Sequence, residues 1–403
     1  MSNTFKVVDM VTKEALRIAH ESCAFIATTD RQYDASFKDN GKGKQGATLR
    51  VREPNQYTRR QGSRVMDVQD QNESTQTITV ATQDGVDMRF NSAELIQSVN
   101  SGAAFDDLSK NYIEPAVKVL MSGIEADFLA YASKATYQVA GTAGTAITTL
   151  EVPGKARAKL NQQLAPKNQR CIQMDSVTMG GLVNGMAAYF NPSGAVGKQY
   201  TEGLIARTAM ADYYENERVH TQTIGSDITG VTLDTFTLAD GGSAITVTGG
   251  AATVAGQVFT MAGVYDVHPE TKVAYPHLKQ FVLTSTSATA WTFSPAIQTT
   301  GAKKNASALP ATTAAIVFVG AASASYVQPI MYHKEAFQFI TADLPLMDDA
   351  HKCVRRVQDG LSVRVWMGSD IRNDELLMRL DILYGMSALR PEWACRMIGA
   401  ANA

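Results

Sequence analysis

Gly360-Leu-Ser-Val-Arg-Val-Trp-Met-Gly-Ser-Asp370, with the chain that follows it to Gly399, decides the fold. Leu361, Val363, Val365 and Met367 alternate with Ser362, Arg364 and Trp366, the period of a strand with one covered face. Gly368-Ser369-Asp370 breaks the run with turn residues. A second apolar run spans Leu376 to Tyr384. Arg390-Pro391-Glu392-Trp393-Ala394 then leads into a terminal apolar strand, Cys395 to Gly399. Strand, acidic turn, long apolar run, Arg-Pro, closing strand: nothing in this order is a catalytic constellation.

Immediately upstream the composition is different. From about Thr221 to Pro329 the chain is rich in Thr, Ala, Ser, Gly and Val and poor in charge. Val231–Leu238, Ala244–Thr248, Gln257–Met261, Gln280–Leu283, Ala290–Phe293 and Ala315–Val319 read as short strands. The Gly and Pro turns between them have the spacing of an all-β barrel or sandwich. His333–Pro345 and the closing strands must rejoin whatever precedes Thr221, so the all-β unit is an insertion. No repeat of fixed period appears.

Further upstream, Val8 to Thr28 reads as an amphipathic helix. Phe105 to Ala135 is the strongest helical pattern. Its stripe is Val117, Leu120, Ile124, Phe128 and Leu129, with Lys118, Glu125 and Asp127 off it; Pro115 suits a position near the helix start and would kink a helix that begins at Asp107. Gly141–Pro153 is a small-residue linker. A helix over Gly154–Gln163, a strand over Arg170–Met174 and a helix over Val177–Met186 follow, the last capped at Asp175-Ser176. Between the two N-terminal helices, Ala47–Arg52, Gln76–Thr82 and Val86–Phe90 alternate as strands whose apolar sets are too thin to fill a core. Such an excursion is marginal alone and must lean on its own body or another chain.

At 403 residues the chain is long enough for two or three domains, and its hydrophobic content of 45% supports a sizeable core. A net charge of −2 argues against a dedicated nucleic-acid binder and against a polybasic membrane-surface protein. The start, Met1-Ser-Asn-Thr-Phe-Lys-Val, does not read as a signal peptide, and no apolar stretch approaches the ~20 residues that span a bilayer. Cys23, Cys171, Cys353 and Cys395 are scattered, with no ligand-spaced histidine, so no zinc or redox dithiol is expected. Asp266 and Glu270 around His268 invite a cation, and Asp348-Asp349 before His351 invites a cation or a base. Solvated acidic turns are the commoner outcome of such patterns. No cofactor, metal or catalytic residue is expected.

Three segments together resemble a known family. Tyr384-Gly385 followed by Arg390-Pro391-Glu392 is similar to the closing segment of tailed-bacteriophage major capsid proteins of Hong Kong 97-like fold. Tyr112-Ile-Glu-Pro-Ala116, Leu120 and Ile124-Glu-Ala-Asp127 resemble their long spine helix. Gly256 to Val264 resembles the β domain inserted in some short-tailed-phage coat proteins. The resemblance implies an α+β chain divided as follows: an N-terminal arm (1–36), an extended β loop (37–92), a peripheral domain with the spine helix (93–153), an axial domain (154–220), an inserted all-β domain (221–329) and a return to the axial and peripheral domains (330–403). It implies no enzyme but a homo-oligomer. Hexamers and pentamers would close into an icosahedral virion shell in the host cytoplasm, with a scaffolding protein, a portal protein and packaged double-stranded DNA held by weak non-specific contact. A cellular nanocompartment shell of the same fold and an α/β enzyme with a β accessory domain are the alternatives.

Charge in the excursion is segregated. Lys38 to Arg64 holds Lys38, Lys42, Lys44, Arg50, Arg52, Arg59, Arg60 and Arg64 against Asp39 and Glu53. Asp67 to Asp87 holds Asp67, Asp70, Glu73, Asp84 and Asp87 and no basic residue. The two arms could pair across a ladder, or the basic arm could touch phosphates. The resemblance favours a third reading, in which the loop lies over the adjacent subunit. Arg50, Arg52, Arg59, Arg60, Arg64, Asp67 and Asp70 are then the intersubunit contacts, setting register and partner choice.

Overall fold

The computed structural model describes residues 23–31, 48–60, 62, 64–66, 68–69, 74–91, 114–186, 211–234, 238–250, 252–347, 352–358 and 361–400. In chain order its helices are α1 (Ala24–Thr28), α2 (Glu114–Ala135), α3 (Glu151–Gln162) and α4 (Ser176–Met186). The strands begin with β1 (Thr48–Arg52), β2 (Thr75–Thr79), β3 (Thr82–Asn91), β4 (Val139–Gly141), β5 (Arg170–Met174), β6 (Asp212–Glu215) and β7 (Thr221–Thr223). Next are β8 (Thr232–Leu233), β9 (Ala244–Thr248), β10 (Val258–Val267), β11 (Ala274–Thr286), β12 (Ala290–Ser294) and β13 (Ile316–Phe318). The closing set is β14 (Ser325–Val327), β15 (Ile330–His333), β16 (Phe337–Ala342), β17 (Lys352–Gln358), β18 (Leu361–Asp370), β19 (Glu375–Ala388) and β20 (Ala394–Ile398). Most of the helix expected over Val8–Thr28 lies outside the described residues. So does the stretch before Glu114, and Pro115 stands second in α2 as described, where a missing N–H is tolerated.

Two compact units emerge, neither contiguous in sequence. The first draws on the chain up to Val51, Thr75–Phe128 and Phe337–Ser387. Its sheet is built on β19, which pairs antiparallel with β18 and with β3 over Thr82–Asn91. Aromatic rings fill the core: Phe25 lies 4.6 Å from Phe128, and Phe128 lies 5.4 Å from Phe339. Glu125, expected off the helical stripe, is fully buried. Its carboxylate accepts the backbone N–H of Phe25 at 2.6 Å, in the first turn of α1, where helical N–H groups have no partner of their own. The alternation of β18 also buries more than one face. Ser362 and Arg364 are as buried as Val363 and Val365. The polar face is covered because carboxylates meet it. Arg364 donates to Asp381 at 2.6 Å, and Ser362 donates to Asp343 at 2.7 Å. Gly385 makes its own approach possible, since a Cβ there would run into the carbonyl of Thr79.

The second unit draws on Arg52–Ser74, Leu129–Ala336 and the chain from Ala388. Its body is a mixed sheet in the order β4-β20-β15-β5-β6. Ala156 and Leu160 of α3 and Met179 and Leu182 of α4 share a core with Ile172, Met174, Met331, Cys395 and Met397 from the sheet. Asp175 caps α4 as its sequence suggests, accepting the N–H of Thr178 at 3.0 Å. A two-stranded stalk, β7 with β14, leads out to a six-stranded sheet in the order β13-β10-β11-β12-β9-β8. That sheet closes on itself. Thr232 bridges Ala315, Leu233 donates to Ala314 at 3.0 Å, and Ile316 donates to Val231 at 3.0 Å. The result is a barrel with its own core, including Phe259, Phe281, Trp291, Phe293 and Phe318. The strand expected over Val231–Leu238 is limited to Thr232–Leu233 in the described residues.

Candidate assembly interface

The loop between β1 and β2 is held by side chains in place of a continuous ladder. At its base, Glu53 donates its N–H to the carbonyl of Ser74 at 2.9 Å, and Ser74 Oγ donates to Glu53 Oε2 at 2.5 Å. Lys303 Nζ donates to Ser74 Oγ at 2.7 Å, tying that base to the barrel's loop. Midway, the amide of Gln69 pairs both ways with the backbone of Thr58, at 2.9 and 2.7 Å. Near the tip, the guanidinium of Arg60 donates to the carbonyl of Val65. Three side-chain cross-links thus shape a loop that has no described strand between Arg52 and Thr75.

What the loop presents is apolar as well as basic. Tyr57, Val65, Met66 and Val68 are 57%, 75%, 80% and 79% exposed. Arg50, Arg52, Arg59, Arg60 and Arg64 are all exposed, with Arg50 and Arg52 on the outer face of β1. Asp67 and Asp70 lie outside the described residues. Reading the sequence found the basic residues but missed the apolar ones, whose signal was the run Val65-Met66 and Val68 inside a polar stretch.

Among the described residues, no acid of the second arm faces β1 across the ladder. β2 carries no acid, and the acidic Asp84 and Asp87 stand on β3, which pairs with β19. Tyr384 donates to Asp84 at 2.6 Å, and Arg379 lies 3.8 Å from Asp87. Burial and the Asp84 carboxylate together push the Tyr384 phenol well above its ordinary range.

Around the barrel's attachment, the polar residues are structural. The Asp266 carboxylate is held by Lys279 Nζ at 2.9 Å and Gln163 Nε2 at 2.9 Å. His268 Nδ1 accepts the N–H groups of Glu270 and Thr271. No group of three or more candidate metal ligands occurs among the described residues. Asp348, Asp349 and His351 lie outside the described residues. Arg396, fully buried on β20, donates to the carbonyl of Gly256 before β10 at 2.9 Å and to Gln328 Oε1 after β14 at 2.8 Å. Burial lowers its pKa to about 9. No described helix is long and apolar enough to cross a membrane.

The family model described as "P22 coat protein - gene protein 5" matches residues 219–399. No curated protein matches the chain. Among solved structures, that of Mycobacterium phage Che8 is 10% identical, with 92% of this chain and 89% of that one covered and a TM-score of 0.47. The capsid of Ralstonia phage GP4 is 8% identical over 89% of this chain and 85% of that one, TM-score 0.45. The CUS-3 coat protein I-domain is 28% identical over 22% of this chain and 93% of its own, TM-score 0.19. The family match runs from the stalk through the barrel to the closing strand, so over residues 219–399 the chain is similar to the P22 coat protein.

Proposed function

We propose that the chain assembles as hexamers and pentamers into an icosahedral shell around double-stranded DNA, with a Hong Kong 97-like body. In this reading residues 1–36 are an arm, 37–92 the extended loop, 93–153 and 154–220 the peripheral and axial domains, 221–329 the insertion and 330–403 the return. A scaffolding protein and a portal protein are its assembly partners, in the host cytoplasm. The observation that carries the reading is the loop. Its tip holds four exposed large apolar side chains beside exposed arginines, and none of those four belongs to a described core cluster. Apolar surface rimmed by charge marks a protein contact.

Arg50, Arg52, Arg59, Arg60, Arg64, Asp67 and Asp70 are the proposed intersubunit contacts. Arginine's fork suits carboxylates and backbone carbonyls of a neighbour. Exposed pairs contribute only about 0.2–1 kcal/mol each, but a shell repeats each one at every subunit. The test is Arg59→Glu with Arg60→Glu. The expected result is a folded monomer with impaired, salt-sensitive shell closure. Unchanged shell yield across a salt series overturns the contact. Normal empty shells with a fault only in packaging place these arginines on DNA.

A further inference from the structure

We infer that Asp266 is the positioning residue that fixes how the barrel is set on the sheet body, through one buried carboxylate shared between barrel and body. The barrel joins the body at the stalk, where β7 and β14 pair over only three residues each. A ribbon that short is marginal by itself. Around it Tyr137, Val139, Ile224, Val258, Val282, Tyr326 and Ile398 form a shared apolar cluster. Apolar contact is non-directional, so it holds the barrel close without setting its rotation.

Direction is supplied along β11. Gln280 sits two residues from Val282, and its amide accepts the N–H of Val139 at 2.9 Å and donates to the Val139 carbonyl at 3.2 Å. Lys159 of α3 donates to that carbonyl at 2.8 Å and also reaches Gln280 Oε1. Farther out, Lys279 and Gln163 meet on Asp266. Farther still, Tyr275 donates to the carbonyl of Gln162 at 3.3 Å. Tyr275 is seven residues from Val282, about 23 Å along a strand at ~3.3 Å per residue. Contacts at that distance from the stalk resist rotation with a long lever arm.

Asp266 is the centre of this outer group. Lys279 is buried and also lies over the Tyr137 ring at 5.7 Å. His277 Nε2 stands 3.8 Å from the other carboxylate oxygen, and its ring stacks on Tyr275 at 5.3 Å. Lys279 is a barrel residue and Gln163 ends the body's helix, so the carboxylate spans both. Burial raises the Asp266 pKa, but His277 and Lys279 outweigh it and hold the carboxyl below its ordinary value, which keeps the carboxylate charged.

The experiment is amide hydrogen exchange on the full chain for Asp266→Asn and for Gln163→Leu. The second variant lies outside the barrel and removes only the body's half of the contact. The expected result is exchange at least tenfold faster over 274–279 and 159–165 in both variants, with 244–248 and 290–294 unchanged. Unchanged exchange in the first two segments overturns the inference. Equal acceleration of all four segments in Gln163→Leu also overturns it, because the residue would then serve folding and not placement. Both readings are made on unassembled protein, so neither depends on shell formation.

Discussion

At the scale of single residues, buried charge is what this sequence conceals. Arg364 reads as an outward residue of an alternating strand, yet it is buried beside an Asp381 that is itself fully buried. Arg379 adds a second donor to Asp381 at 2.8 Å, and a further nitrogen of Arg364 donates to the carbonyl of Pro345 at 3.0 Å. Removing one partner strands the other in a medium that solvates it poorly. Asp381→Ala is therefore expected to lower stability by about 3–5 kcal/mol, whereas Arg364→Met with Asp381→Leu recovers most of the loss. Urea unfolding midpoints for the single and double variants check this, and a double variant no better than the single would refute it. Neither Arg364 nor Asp381 could be found by spacing. Their meeting depends on β18 and β19 pairing in the register Arg364 with Asp381, a contact between strands that alternation within one strand does not encode. Glu125 was misread for the same reason, because its partner is Phe25, a hundred positions away.

Elements were far more legible than their partners. Arg170–Met174 and Ala244–Thr248 fall where turn residues and alternation put them. β10 and β11 run longer than their apolar cores suggest. In β11 the polar His277 and Lys279 precede the expected run Gln280–Leu283, and the ladder with β10 makes them strand residues all the same. β3 was legible as a strand, but its pairing with β19 was not. The barrel is the element whose independence can be measured. Among the described residues its main core cluster lies between Val231 and Phe318, apart from the cluster at the stalk that Val258 and Val282 share with the body. Residues 221–329 expressed alone are expected to give an all-β circular dichroism spectrum and a cooperative thermal transition. A disordered spectrum would show that the stalk cluster around Tyr137 and Ile398 is needed to fold it.

For the whole molecule, self-association is the property that separates a shell protein from a soluble monomer. Val65, Met66 and Val68 expose apolar surface that a lone subunit gains nothing by showing. Replacing all three with Ser is expected to leave the circular dichroism spectrum unchanged and to shift light scattering from shells and capsomers toward monomers. Undiminished particle formation would place the assembly contacts elsewhere. A protein that must meet copies of itself in one way only faces a hazard from its β content. An open sheet edge accepts a strand from any passing chain, and at high local concentration that leads to fibres instead of closed shells. The bridge from Thr232 to Ala315 leaves the barrel sheet with no free edge along that seam. A break there, such as Ile316→Pro, which removes the N–H donated to Val231, would turn a globular appendage into a polymerisation template, and lost particles are the expected result.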